Sequence, residues 1–169
     1  MTDRKLIFLL SILYSFIIVI IPWDVIRGAQ FEDYLNYVSR IDELKLYGDS
    51  YINPSNSLIG SLFSEVLWGY MLLFVANSLI TPELFLATLS FFCLFNISHY
   101  VFSKASVVFG IIFLINPLII DFVMSQHRNA LAFTLFLYVV RYDNKYFFYF
   151  IMLLTSFIHT SSLLIFPVY

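Results

Sequence analysis

Residues 84–102 read LFLATLSFFCLFNISHYVF, an apolar run without a single Lys, Arg, Asp or Glu. About 20 such residues in a helix match the ~30 Å hydrocarbon core of a bilayer, where each backbone polar group must be bonded within its own segment. The stretch predicts a transmembrane helix. Further apolar segments lie on either side of it, at residues 6–23, 66–80, 105–120, 130–140 and 146–169. Together they predict an all-α, polytopic transmembrane helix bundle of five to six apolar segments, one transmembrane domain over residues 1–169.

The composition agrees: 61% of the residues are hydrophobic, 20% aromatic and 12% charged, with a mean hydropathy of +0.89. A soluble domain carries roughly 25% charged residues. The net charge of −2 and the lack of any basic cluster leave no electrostatic footprint for nucleic acid. Cys93 is the one cysteine, so neither a disulfide framework nor a cysteine metal set is expected. Gly-rich phosphate loops, G-x-S-x-G and His-x-x-x-His are all missing from the sequence, and no cofactor or metal is expected. Any chemistry has to be assembled from scattered residues.

The opening MTDRK followed by residues 6–23 has the basic-then-apolar look of a signal peptide. The apolar stretch is too long and lacks a small-residue cleavage site, so it reads as a first membrane helix stopped by Pro22 and anchored at the interface by Trp23. Half of the charged side chains then crowd between Asp24 and Glu65. Residues 24–65 are expected to form a periplasmic loop. Within it Phe31, Tyr34, Leu35, Val38, Ile41 and Leu44 recur at helical spacing, predicting an amphipathic interfacial helix, and residues 47–56 carry turn chemistry. A cytoplasmic N-terminus with six full crossings would leave most Lys and Arg outside. The positive-inside rule is restored by an external N-terminus or, the preferred reading, if residues 66–80, with Glu65 at the start and Asn77 and Ser78 near the end, do not fully cross. That arrangement puts Lys104, Arg141 and Lys145 inside, and the acidic loop and Arg128 together outside.

Four polar residues stand out. Arg128 lies in MSQHRN (residues 124–129), where an apolar helix begins and Ser125 is the expected N-cap. A cation there opposes the helix dipole and costs about 2.5–3.5 kcal/mol at membrane depth. An anion bound at the helix start would offset this; snorkelling to water is the other reading. His159, in TSFIHTSS (residues 155–162), shares a helical face with Ser156 and Ser162, which suits a cavity wall or a structural hydrogen bond to a neighbouring helix. Glu65, at a helix start, and Asp33, on the amphipathic helix, are the acids best placed to meet a substrate at the membrane face. Each can also be read as an ordinary solvated carboxylate.

Four pieces taken in order, FEDYLNY (31–37), SEVLWGY (64–70), SQHRNALA (125–132) and SFIHTSS (156–162), resemble the EpsG/Wzy-type family of bacterial polysaccharide polymerases for O-antigen and capsule. The most specific part is Arg-x-x-Leu-Ala at a helix start with Phe-x-His-x-Ser in the next helix. The resemblance implies a multi-pass inner-membrane glycosyltransferase that joins oligosaccharide repeat units carried on undecaprenyl pyrophosphate. It implies that Arg128 holds the pyrophosphate leaving group, that Asp33 or Glu65 activates the acceptor or binds sugar, and that His159 lines the same cavity. Tyr34, Tyr37 and His127, which stand within the matching pieces, join the substrate-binding residues. The implied partners are the lipid-linked oligosaccharide, the bilayer and other polysaccharide-export proteins; nucleic acid is not among them. Family members are typically much longer, so the chain is expected to be an N-terminal portion. Other classes compatible with the sequence are a non-catalytic membrane subunit or transporter-like fragment, and another lipid-linked-sugar enzyme such as an O-antigen ligase.

Overall fold

The computed structural model describes residues 4–48, 65–140 and 145–160. Among these residues the chain is helical, without strands: α1 (Arg4–Ile20), α2 (Trp23–Arg27), α3 (Glu32–Tyr47), α4 (Val66–Ala76), α5 (Pro82–Lys104), α6 (Val107–Leu114), α7 (Pro117–Met124), α8 (His127–Val139) and α9 (Lys145–Ile158). The all-α class read from the sequence holds. Most of the turn chemistry expected over residues 47–56, together with Arg141 and Ser162, falls outside the described residues.

Helix α5 organises the rest. Thr81 Oγ1 accepts from the Leu84 N–H, Pro82 opens the first turn, Glu83 sits at the positive end of the dipole and Lys104 at the negative end, so both termini are chemically specified. The 23 residues extend about 35 Å. Its sides pack against α1, α3, α4, α6, α7 and α8, and Leu86, Leu94, Cys93 and Ile97 are buried along it. Helix α1 lies close to it because the α1 face carries Ser11 and Ser15, both fully buried, whose hydroxyls donate to the carbonyls of Ile7 and Ser11 at 2.7 and 2.8 Å. Small, internally satisfied side chains let two backbones approach.

The expected count of five to six crossings is corrected. Among the described residues α5 alone is long and apolar enough to cross a bilayer as one helix; α6 and α7 pass only as a pair, bent by 63°. Pro117 causes the break, since it has no N–H to continue the ladder and its ring clashes with the preceding turn. The break is finished on both sides: the Tyr14 hydroxyl donates to the Leu114 carbonyl at 2.8 Å, and Asn116 Oδ1 accepts from the Leu118 N–H at 2.9 Å. Helix α4 has 11 residues and α9 has 14, about 16 and 21 Å of rise, short of a ~30 Å core.

Two local expectations shift as well. On α3 the buried face is Tyr37, Ile41 and Leu44 with Tyr34 and Val38 half-buried, while Leu35 is exposed. The helix is turned relative to the expected stripe because it rests on α4 and α5, and the aromatic Tyr37 takes the inner position. Ser125 caps no helix start: it ends α7, and Gln126 precedes α8 without a side-chain cap bond.

Gly110 on α6 faces the buried Phe102 ring, and an added Cβ would stand 2.7 Å from Phe102 Cδ1. Overpacking of this kind costs about 1–3 kcal/mol, against about 1 kcal/mol gained in helix propensity from Gly to Ala. Gly110→Ala is therefore expected to lower thermal stability in detergent, and Phe102→Leu in the same chain to recover most of the loss. A Gly110→Ala protein that melts higher than the parent would show that α6 does not sit against Phe102.

Candidate functional site

Arg128 enters in the first turn of α8, next to the end of α3 that holds Tyr37. Its Nε donates to the Tyr37 hydroxyl at 3.1 Å, and its guanidinium carbon stands 5.8 Å from the centre of that ring. Nη1 donates to Glu65 Oε2. The other carboxylate oxygen, Glu65 Oε1, lies 2.6 Å from His159 Nδ1. Glu65 is an acceptor on both oxygens, so Nδ1 carries the proton, and His159 Nε2 has no hydrogen-bond partner among the described residues. Arg128 Nη2 likewise has none among them. Tyr37 OH, Arg128, Glu65 and His159 thus form one chain of polar contacts linking α3, α8, the start of α4 and the end of α9.

The backbone makes this possible at two points. Glu65 has φ 52 and ψ 45, a left-handed conformation unusual for a residue with a side chain. Its carbonyl accepts from the Gly69 N–H at 3.1 Å and so starts α4. Its carboxylate caps nothing on its own helix and is free to reach α8 and α9. His159 sits just past the end of α9, with its N–H bonded to the Thr155 carbonyl at 2.8 Å. The expectation of His159 within a helix is corrected: α9 ends at Ile158, and Ser156 spends its hydroxyl on the Leu153 carbonyl at 2.6 Å.

Tyr37 is buried and its ring meets Trp68 edge-on at 5.2 Å and His127 at 5.6 Å. Desolvation raises the Tyr37 hydroxyl above its ordinary pKa, opposed by the charge and hydrogen bond of Arg128, so it remains a neutral phenol that accepts from the guanidinium. His127 is 1% exposed. Its Nδ1 donates to the Ser125 carbonyl at 3.0 Å, which fixes the tautomer, so Nε2 accepts from the Ser90 hydroxyl, also at 3.0 Å, for whose one proton the Val123 carbonyl at 3.3 Å competes. Both nitrogens of His127 are engaged, and it is a structural floor rather than a free base.

The structure brings together Arg128, Glu65, His159 and Tyr37, with His127 packed beneath. Tyr34 stands beside His127, ring centres 6.4 Å apart. Asp33 joins no hydrogen bond or ion pair of the cluster; its charge bears on Tyr37 only at a distance. Sequence reasoning missed Trp68, buried with its Nε1 unpartnered among the described residues. It missed as well a 310 Å³ cavity beside His127, walled by Trp23, Phe31 and Tyr34 and floored by Ser90. The run Trp23-Asp24 ahead of Phe31 was a visible aromatic-acidic signal; the pairing of Ser90 with His127 was not, since no sequence rule joins positions 37 apart. Among the described residues no group of His, Cys, Asp and Glu could hold a metal ion.

Comparison of the chain with protein-family models, with curated proteins and with solved structures finds no match. The site's own chemistry is the ground for a functional reading. Among the described residues it offers one guanidinium with a donor that has no partner, one carboxylate that fixes a histidine tautomer, and one histidine nitrogen that has no partner.

If Arg128 and Glu65 act as one unit, their removal is non-additive. Arg128→Met and Glu65→Gln are each expected to destabilise the chain, while the double variant loses less than the sum, a coupling of about 1–3 kcal/mol in denaturant unfolding. Additive losses would mean that the pair contributes nothing as a pair.

Proposed function

We propose that this protein is a multi-pass inner-membrane polysaccharide polymerase, joining oligosaccharide units carried on undecaprenyl pyrophosphate at the outer face of the membrane. The observation that carries the reading is the meeting of Arg128, Glu65 and His159, drawn from three of the four sequence pieces that resemble such polymerases, with Tyr37 supplied by the fourth. The membrane part is supported by the exposed apolar surface. Leu9, Leu13, Phe16 and Ile20 on α1, with Phe109, Ile112 and Phe113 on α6, stand outward, far more apolar exposure than a soluble surface carries. Beyond α5, the bent α6–α7 pair would supply the second span.

In this reading the acceptor sugar hydroxyl attacks the anomeric carbon of the lipid-linked donor. The bond from that carbon to the pyrophosphate oxygen breaks, and its electron pair leaves with undecaprenyl pyrophosphate. His159 Nε2 takes the hydroxyl proton, with Glu65 holding the imidazole in the tautomer that can accept it, the same division of labour as a carboxylate–histidine pair in acyl transfer. Arg128 Nη2 donates to the phosphate oxygens on which negative charge grows. The lipid pyrophosphate is an activated leaving group, so the scheme needs no cofactor. Asp33 joins no hydrogen bond or ion pair of the polar chain, and its place in this scheme is along the path of the sugar. Other polysaccharide-export proteins would be the natural neighbours in the membrane.

One observation favours a second reading, a non-catalytic membrane subunit. Glu65 already occupies the position where an anion was expected beside Arg128, and the ion pair alone could justify the arginine.

The variants separate the two. Lysine keeps the charge of Arg128 but not the planar fork, so Arg128→Lys in a glycan-ladder assay in cells is expected to shorten the polymer sharply if a pyrophosphate is held there. His159→Ala is expected to cut polymer by about 10²-fold or more, the usual share of a general base, without loss of membrane-inserted protein. Normal ladders from both variants would leave the subunit reading standing. Topology gives an independent check: reporter fusions at Gly48 and Gln126 should report the periplasm and a fusion at Lys104 the cytoplasm. Opposite sides for Gly48 and Gln126 would exclude a shared site.

A further inference from the structure

The cavity beside His127 differs in chemistry from the arginine site next to it. Its walls are aromatic: Trp23, whose Nε1 is fixed to the Ile18 carbonyl at 2.8 Å, the half-buried Tyr34, and Phe31, which also meets the Arg27 guanidinium at 4.1 Å from the ring centre. Asp24 and Glu83 line it as exposed residues at its mouth, with Gln30 beside them. Neither acid has an ion-pair partner among the described residues. Among the described residues no lysine or arginine lines the cavity, the charge of Arg27 behind Phe31 being paired with Asp121 at 3.6 Å, and the imidazole of His127 at its floor has both nitrogens committed. At 310 Å³ it lies at the small end of ligand pockets, roughly 300–1,000 Å³.

Aromatic faces take the C–H faces of a sugar ring, carboxylates and a carboxamide take its hydroxyls, and two acids without a resident cation repel an anion and favour an ammonium. We infer that this cavity is a saccharide subsite for a single uncharged or amine-bearing pyranose, and that it excludes uronic acids and phosphate. It rests on the polymerase reading for the identity of that ring as the terminal sugar of a repeat unit. The position fits: His127 on the cavity floor is followed in the chain by Arg128, and Tyr37 touches both. Division of charge is the specificity device. The negative cavity takes the sugar, and the phosphate is left to the guanidinium.

The chain has two tryptophans, Trp23 in this cavity and Trp68 against Tyr37, so each site has its own reporter. In purified Trp68→Phe protein, Trp23 fluorescence is expected to respond saturably to glucosamine and methyl glucoside, and about tenfold more weakly to glucuronate, the effect of one like charge near a protein surface. Asp24→Asn with Glu83→Gln should abolish that discrimination, and Ala87→Phe, which fills the cavity, should abolish the response. Calorimetric titration of the unmodified chain should give the same ranking even if a tryptophan variant folds poorly. No binding of any of the three sugars, or glucuronate bound as tightly as glucosamine, overturns the inference. Trp23→Phe protein, read through Trp68, reports inorganic pyrophosphate at Arg128. Silence there with sugar binding intact would sink the polymerase reading and leave the subsite; pyrophosphate binding without sugar binding would do the reverse.

Discussion

A guanidinium at the start of an apolar helix has to be given an anion, and most of the site is arranged around that demand. Arg128 stands where the dipole of α8 is already positive and where burial makes an unpaired charge costly. Glu65 meets it from the start of α4, Tyr37 from α3, and His159 stands behind Glu65 at the end of α9. Removing the cation would leave a half-buried carboxylate, and removing the carboxylate would leave a cation against a helix dipole. Four segments far apart in sequence are therefore tied by electrostatics rather than by hydrophobic packing alone, which in lipid would offer little preference between one helix face and another.

Helix α5 supplies the complementary constraint. Its capped, proline-initiated start lies on the site side, where Glu83 and Ser90 reach the cavity, and its far end carries Phe102, against which α6 is pressed. The same helix thus fixes the height of the cavity floor and the position of the break between α6 and α7. Tyr14 closes that break from α1, so the irregular backbone is satisfied by protein and not left open to an apolar surrounding.

The all-helical class was legible because apolar runs leave few other ways to satisfy a backbone. Arg128 and His159 were legible because each is a polar group in a place where polar groups are expensive. The number of spans was not legible. Hydropathy averages over residues 105–120 and is blind to Pro117 and to the Asn116 cap that turn one run into two helices. Ser125 had the right chemistry for a cap, yet the chain starts α8 after Gln126, with His127 reaching back to the Ser125 carbonyl. The stripe on α3 was read with Leu35 inside and Tyr37 unplaced, because a helical wheel fixes the period and not the rotation; the rotation came from α4 and Arg128. Glu83 and Ser90 escaped notice, and Trp23 was read only as an interface anchor, for the same reason: their meaning is tertiary.

The conformation of Glu65 bears on how this position can change over generations. A left-handed backbone costs a residue with a Cβ about 1–2 kcal/mol that glycine does not incur, so backbone strain by itself draws drift at this codon toward glycine. Glycine would ease the turn and at once remove the polar contacts of position 65 with α8 and α9, leaving Arg128 with Tyr37 alone and freeing the imidazole of His159. Asparagine and aspartate tolerate the left-handed region better than most residues but fall one methylene short of both partners. Position 65 is thus held between two opposed selective pressures. Lineages in which the contacts of this cluster are no longer needed should lose the glutamate here early, with the arginine following once its counter-charge has gone.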